Sequence, residues 1–115
     1  MAAVAAGARS LGGLVVAVAP GPEPGVADAT VAITTDLGQA RNAVLVNSAD
    51  AVIGVGGSWG TLSEVAMAMR RRQARPELPV VTLGGWQILD AAGAPVDGPL
   101  IANDPEHAVK LALGG

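Results

Sequence analysis

The residues best able to do chemistry lie in one run, Asp50-Ala-Val-Ile-Gly-Val-Gly-Gly-Ser-Trp-Gly-Thr-Leu-Ser-Glu64. An apolar stretch passes into Gly56-Gly57-Ser58-Trp59-Gly60 and then into a segment that reads as a helix from Thr61 to about Arg72. A glycine-rich turn at a helix N-terminus gathers backbone N–H groups and the positive end of the helix dipole, which suits an anion. Glycine also lets the backbone approach that anion closely. Thr61 is placed either to cap the helix or to donate its hydroxyl to a phosphate. The competing reading is an ordinary tight strand-to-helix turn. The run is neither a Walker P-loop, since no Gly-Lys-Ser/Thr follows, nor a G-x-G-x-x-G fingerprint.

Arg41 and Glu64 form the second candidate pair. Arg41 is the only charge between Asp36 and Asp50, and Glu64 the only one between Asp50 and Arg70. Each falls on a helix apolar enough to be largely buried, where a charge needs a partner or a polar cavity. Glu64 is expected in the first turn of its helix. A structural salt bridge, or a carboxylate complementing the dipole, accounts for the pattern as well as catalysis does.

Other polar and aromatic residues carry less. Arg70, Arg71, Arg72 and Arg75 read as a solvated helix C-terminus favoured by the dipole, rather than a phosphate or RNA patch. His107 reads as a surface residue without a visible partner. Trp59, inside the glycine turn, either covers a bound base or anchors the loop. Trp86 reads as packing at a strand end.

The elements that must position these residues follow from composition and pattern. The chain has 115 residues, a net charge of −3, and half its residues hydrophobic. That length fits a single domain over residues 1–115. With no cysteine there are no disulfides, thiolate ligands or thiol nucleophile, and with one histidine no multi-histidine zinc site. No metal or cofactor is expected. Net acidity and the absence of Phe and Tyr argue against nucleic acid as a partner. No apolar run reaches the length of about 20 that spans a bilayer. The N-terminal apolar stretch ends in Ala-Val-Ala, but Arg9 interrupts it and no charge precedes it, which reads against a secretory signal. A cytoplasmic location is the expectation.

Helices are expected over 2–11, from Asp36 to about Asn47, over 61–72 and from Asp104 to Gly114. Asp36 and Gln39 resemble a capping box, and Pro105 fits the first position of the last helix. Strands are expected over 14–18, 30–34, 50–55 and 79–83, with a short one at 100–102. Residues 20–25 are a loop by their Pro-Gly chemistry, and 84–97 are irregular, with room for a hairpin. Uniformly apolar strands alternating with helices imply an α/β fold, a parallel sheet with helices on both faces. Ligands then bind beyond the carboxyl ends of the strands, after Val18, Val55 and Leu83.

Arg41-Asn42, then Ser48-Ala49-Asp50-Ala51, then Gly56-Gly57-Ser58-Trp59-Gly60-Thr61-Leu62-Ser63-Glu64 resembles the signature of the LOG-like proteins. These are cytokinin-activating nucleoside 5′-monophosphate phosphoribohydrolases, often labelled lysine decarboxylases, within the SLOG superfamily of Rossmann-like nucleotide-binding proteins. The family motif is Pro-Gly-Gly-x-Gly-Thr-x-x-Glu with an upstream Arg. Here Gly56 replaces the Pro, Ser58 the second Gly, and Asn42 the usual Lys after the Arg. These departures are most similar to an uncharacterised bacterial branch and to molybdenum-cofactor carriers of the same fold.

The resemblance implies a Rossmann-like parallel sheet flanked by helices. Against the family pattern the chain is expected to lack the first β-α-β unit, about 30 residues or more. The resemblance further implies that Gly56, Gly57, Ser58, Trp59, Gly60 and Thr61 form the nucleotide site, with Gly57, Gly60 and Thr61 holding phosphate. Glu64 would contact the ribose and stabilise an oxocarbenium-like transition state or orient water, and Arg41 would assist departure of the base. The implied function is nucleoside 5′-monophosphate binding with hydrolysis of the N-glycosidic bond to free base and ribose 5-phosphate. The alternatives are a non-catalytic carrier or sensor of a phosphorylated ligand and an inactive remnant. A homodimer through the motif-bearing helices is also implied.

Overall fold

The computed structural model describes residues 1–115. The chain forms four α-helices and five strands in the order α1 Ala2–Ser10, β1 Val16–Ala19, β2 Val31–Thr34, α2 Arg41–Asn47, β3 Val52–Gly56, α3 Trp59–Arg72, β4 Val80–Gly85, β5 Leu100–Ala102 and α4 Pro105–Ala112, so no α-helix separates β1 from β2 or β4 from β5. Every strand pairing in the sheets is parallel. The fold is α/β with parallel strands, as the strand pattern predicts, and Rossmann-like, as the resemblance implies. The strands form two sheets rather than one, β1-β2 and β3-β4-β5, because no strand hydrogen-bonds to members of both. The chain divides into two compact units, residues 1–45 and 46–115.

In the first unit β1 and β2 run in register from Val16 opposite Val31 to Ala19 opposite Thr34. Residues 20–30 connect them without a helix, as the Pro-Gly run requires. Thr30 fastens the start of the pair: its Oγ1 accepts from the Val15 N–H at 2.9 Å and from Arg9 of α1 at 2.8 Å. The buried apolar residues of this unit are Ala5, Ala17 and Ala19.

The expected capping box at Asp36 and Gln39 is absent. Asp36 has φ of 53°, whereas an N-cap residue takes extended dihedrals. Thr35 shapes the turn instead, donating its hydroxyl to the Ala19 carbonyl at 2.7 Å. A 3-10 turn, Gly38–Ala40, then leads into α2.

In the second unit α3 and α4 pack against β3-β4-β5. Thr61, Glu64, Val65 and Ala68 recur at helical spacing on one stripe of α3. Val46, Val65, Ala68, Leu78 and Val80 form one core cluster, with Val52 and Met69 packed on it. Gly54 is what lets α3 come so close: a Cβ there would meet Val65 Cγ2 at 2.7 Å and Thr61 Cγ2 at 3.4 Å. Val81, Ala102 and Ala108 form a second cluster beneath α4. That helix starts as its sequence predicts, with Asp104 accepting from the His107 N–H at 2.7 Å and Pro105 at its first position. His107 is half-buried and has a partner, its Nδ1 accepting from the Asn103 N–H at 3.0 Å.

The arginine run is more than a solvated helix end. Arg71 donates from Nη1 to the carbonyls of Val46 and Ala49, each at 2.6 Å. Val46 lies in the last turn of α2 and Ala49 just beyond it; the Val46 carbonyl also accepts from the Ala49 N–H at 3.3 Å, so Arg71 is its second donor. Arg75 pairs with Glu77 at 3.0 Å, and this contact holds the Glu77 carboxyl below its usual range. Residues 86–99 turn back on themselves as expected, through an antiparallel bridge between Leu89 and Pro95 and an Asp90 side chain that accepts from the Ala92 and Ala94 amides.

Candidate functional site

Strand β3 ends at Gly56, whose φ of 87° turns the chain away from the sheet. Ser58 follows in extended conformation, and α3 begins at Trp59, two residues before the position expected from sequence. Ser58, not Thr61, is therefore the cap: its Oγ accepts from the Thr61 N–H at 3.0 Å. The Thr61 hydroxyl lies 2.9 Å from Ser58 Oγ and 3.5 Å from the Val55 carbonyl. The amides of Trp59 and Gly60 have no carbonyl one turn back, as at any helix start. Gly56, Gly57, Ser58 and Gly60 are all exposed, so the loop presents its backbone to solvent.

A second loop backs the first. The pairing of β3 with β4 shifts between Val55 and Gly56, so that Gly56 lies opposite Gly85 and Gly84 is the extra residue. Such bulges re-aim the chain beside functional sites. Gly85 has φ of 108°, and a Cβ on it would fall 2.2 Å from the Gly56 oxygen and 3.0 Å from Gly57 Cα. Only glycine fits there. Trp86 then reaches across, donating Nε1–H to the Ser58 carbonyl at 3.0 Å. Its ring centroid lies 4.7 Å from that of Trp59, with the planes tilted by 45°. Tilted aromatic pairs at this separation are worth about 0.5–1.5 kcal/mol beyond their buried area.

The structure thus brings together Gly56, Gly57, Ser58, Trp59, Gly60 and Thr61. It adds Gly85 and Trp86, which sequence reasoning assigned to packing or to an irregular stretch. Glu64 is half-buried on the sheet-facing stripe of α3. Because the helix starts at Trp59, Glu64 stands in its second turn, beyond the first-turn amides that a dipole-complementing carboxylate would face. Arg41 lies in the first unit, at the start of α2, half-buried rather than largely buried, and donates to the Val18 carbonyl at 3.4 Å. A separate concavity of about 660 Å³ lies between the C-terminal half of α3 and residues 88–99, lined in part by Arg70, Arg72, Ile88 and Asp97. It contains none of the motif residues. No group of three or more His, Cys, Asp or Glu is arranged to hold a metal ion, and no helix is long and apolar enough to cross a membrane.

The model of the SLOG cluster4 family matches residues 1–103. The chain belongs to that family. An uncharacterised protein of Archaeoglobus fulgidus is 40% identical over 116 residues, spanning 98% of this chain and 68% of the relative. Among solved structures, the molybdenum cofactor binding protein of Rippkaea orientalis is 30% identical with a TM-score of 0.81, over 99% of this chain and 69% of that one. The structural-genomics protein TM1055 is 32% identical with a TM-score of 0.81, over 99% of this chain and 72% of that one.

Proposed function

We propose that this SLOG protein binds a nucleoside 5′-monophosphate, with the phosphate at the loop of residues 56–61. The observation that carries the reading is the loop itself. Side-chain-free backbone at Gly56 and Gly57 leads into the start of a 14-residue helix, whose open amides and dipole favour an anion. The Thr61 hydroxyl stands beside them. In its finer form the proposal includes hydrolysis: water adds at the anomeric carbon, the N-glycosidic bond breaks, and the base leaves with a proton. Glu64 would stabilise developing positive charge on the sugar or orient the water, and Arg41 would assist the leaving base.

The test is two measurements on the same protein. Adenosine 5′-monophosphate and ribose 5-phosphate should each raise the melting temperature saturably. Adenine should appear from the nucleotide, with Glu64→Gln lowering the rate by about 100-fold or more. Absence of any ligand-induced shift removes the binding reading. Adenine release unchanged in Glu64→Gln removes the assigned role. A second reading, carriage of a phosphorylated ligand without turnover, is favoured by the likeness to a molybdenum cofactor binding protein. It predicts the same stabilisation with no product.

A further inference from the structure

The only two aromatic side chains of the chain, Trp59 and Trp86, lie 27 residues apart in sequence and meet at the carboxyl ends of neighbouring parallel strands. Trp59 is 76% exposed although it begins a helix and touches a second ring. Its neighbours Gly56, Gly57, Ser58 and Gly60 carry no side chain larger than a hydroxymethyl. A ligand at this loop therefore meets backbone, hydroxyls and one indole face. Trp86 is bound on both sides of that arrangement. Its ring supports Trp59, and its N–H holds the Ser58 carbonyl, while the hydroxyl of the same serine caps α3.

We propose that Trp86 is a positioning residue: it fixes the Ser58 turn of the phosphate loop and holds the Trp59 indole as a stacking surface for a planar heteroaromatic ring on the ligand. This rests on the phosphate reading of the same loop. The two jobs go through different atoms of Trp86. The indole N–H sets the loop and therefore acts on the phosphate. The ring plane sets Trp59 and therefore acts on the base. Gly84 and Gly85 give the strand end the backbone path that delivers the indole to this position.

The pair makes its own test possible, because all intrinsic fluorescence of the chain comes from these two rings. Adenosine 5′-monophosphate and ribose 5-phosphate are titrated against the full chain, read within seconds of mixing. The nucleotide should bind about 10-fold or more tighter than the sugar phosphate, the range expected for one stacked base. Trp59→Ala should bring that ratio close to one and leave ribose 5-phosphate affinity unchanged. Trp86→Phe keeps a ring and loses the donor, so it should weaken both ligands several-fold while preserving the ratio. Trp86→Ala should lose both the ratio and the affinity. Ribose 5-phosphate that binds while the nucleotide shows no advantage overturns the stacking surface and leaves the phosphate reading standing. A folded Trp86→Phe with unaltered affinity for both ligands overturns the positioning role. Failure of both ligands to bind the unmodified chain overturns the phosphate reading and this inference with it.

Discussion

At the scale of single residues the site depends on what is missing from Gly85. Its φ of 108° is strained for any L side chain, and the position of a Cβ is already occupied by the Gly56 carbonyl. Both costs fall on backbone, which cannot swing aside as a side-chain tip can. Gly85→Ala should destabilise the protein by about 3 kcal/mol or more in urea unfolding, and what remains folded should bind phosphate ligands poorly. Gly7 provides the contrast. It lies inside α1 with nothing within 4 Å of its Cβ position. Gly7→Ala should therefore raise stability by about 0.5–1 kcal/mol through helix propensity. Equal effects from the two substitutions would show that the packing of Gly85 against Gly56 is not a constraint in solution.

Between elements the informative contact is Arg71. A half-buried guanidinium donates to the carbonyls of Val46, in the last turn of α2, and Ala49, just after it, from 25 and 22 residues away. Charged donors contribute more than neutral ones, and without Arg71 the Val46 carbonyl keeps only the longer bond from the Ala49 N–H at 3.3 Å. Arg71→Ala should cost about 1–3 kcal/mol in urea unfolding, with Arg71→Lys intermediate because the lysine ammonium ends one bond short of the single Nη1 that makes both contacts. A loss within the few tenths expected of an exposed arginine would show that the contact is not held. The same element marks what sequence can and cannot show. The order of helices and strands was legible because uniformly apolar runs alternate with helical spacing and punctuating Gly and Pro. The glycine loop was legible because its chemistry is local. The helix start was misplaced by two residues because Thr61 looks like a cap, and only the backbone shows that Ser58 takes that role. Arg71 reads as solvated and Trp86 as packing because their partners lie 22 to 28 residues away, those of Arg71 at the end of α2 and that of Trp86 across the bulge between β3 and β4, and neither is encoded nearby in sequence. Asp36 and Gln39 had the spacing of a capping box, but the tie of Thr35 to Ala19 pulls that turn into another conformation.

Over the whole molecule the two units differ in what they bury. The first unit buries Ala5, Ala17 and Ala19, while Val16, Val31 and Ile33 on its strands are exposed. The second buries Val46, Val65, Leu78, Val80 and Val81 in addition to small residues. A fully buried Val or Leu contributes about 1.5–3 kcal/mol, and a single methyl-sized group about 0.8. The strand hydrogen bonds of the first unit therefore rest on much less apolar support. Local opening follows such support, so amide hydrogen exchange should be faster in β1 and β2 than in β3 and β4 by about 100-fold or more. Equal protection across both sheets would contradict this. The phosphate loop belongs to the better-supported unit and Arg41 to the other. A ligand that binds only the folded form slows exchange wherever it makes contact. Adenosine 5′-monophosphate held by the loop alone should raise protection around residues 56–62 and leave β1 and β2 unchanged. If Arg41 takes its proposed part in the reaction, the same ligand should also slow exchange at the start of α2. Protection confined to the second unit would separate phosphate binding from Arg41 and favour carriage over hydrolysis.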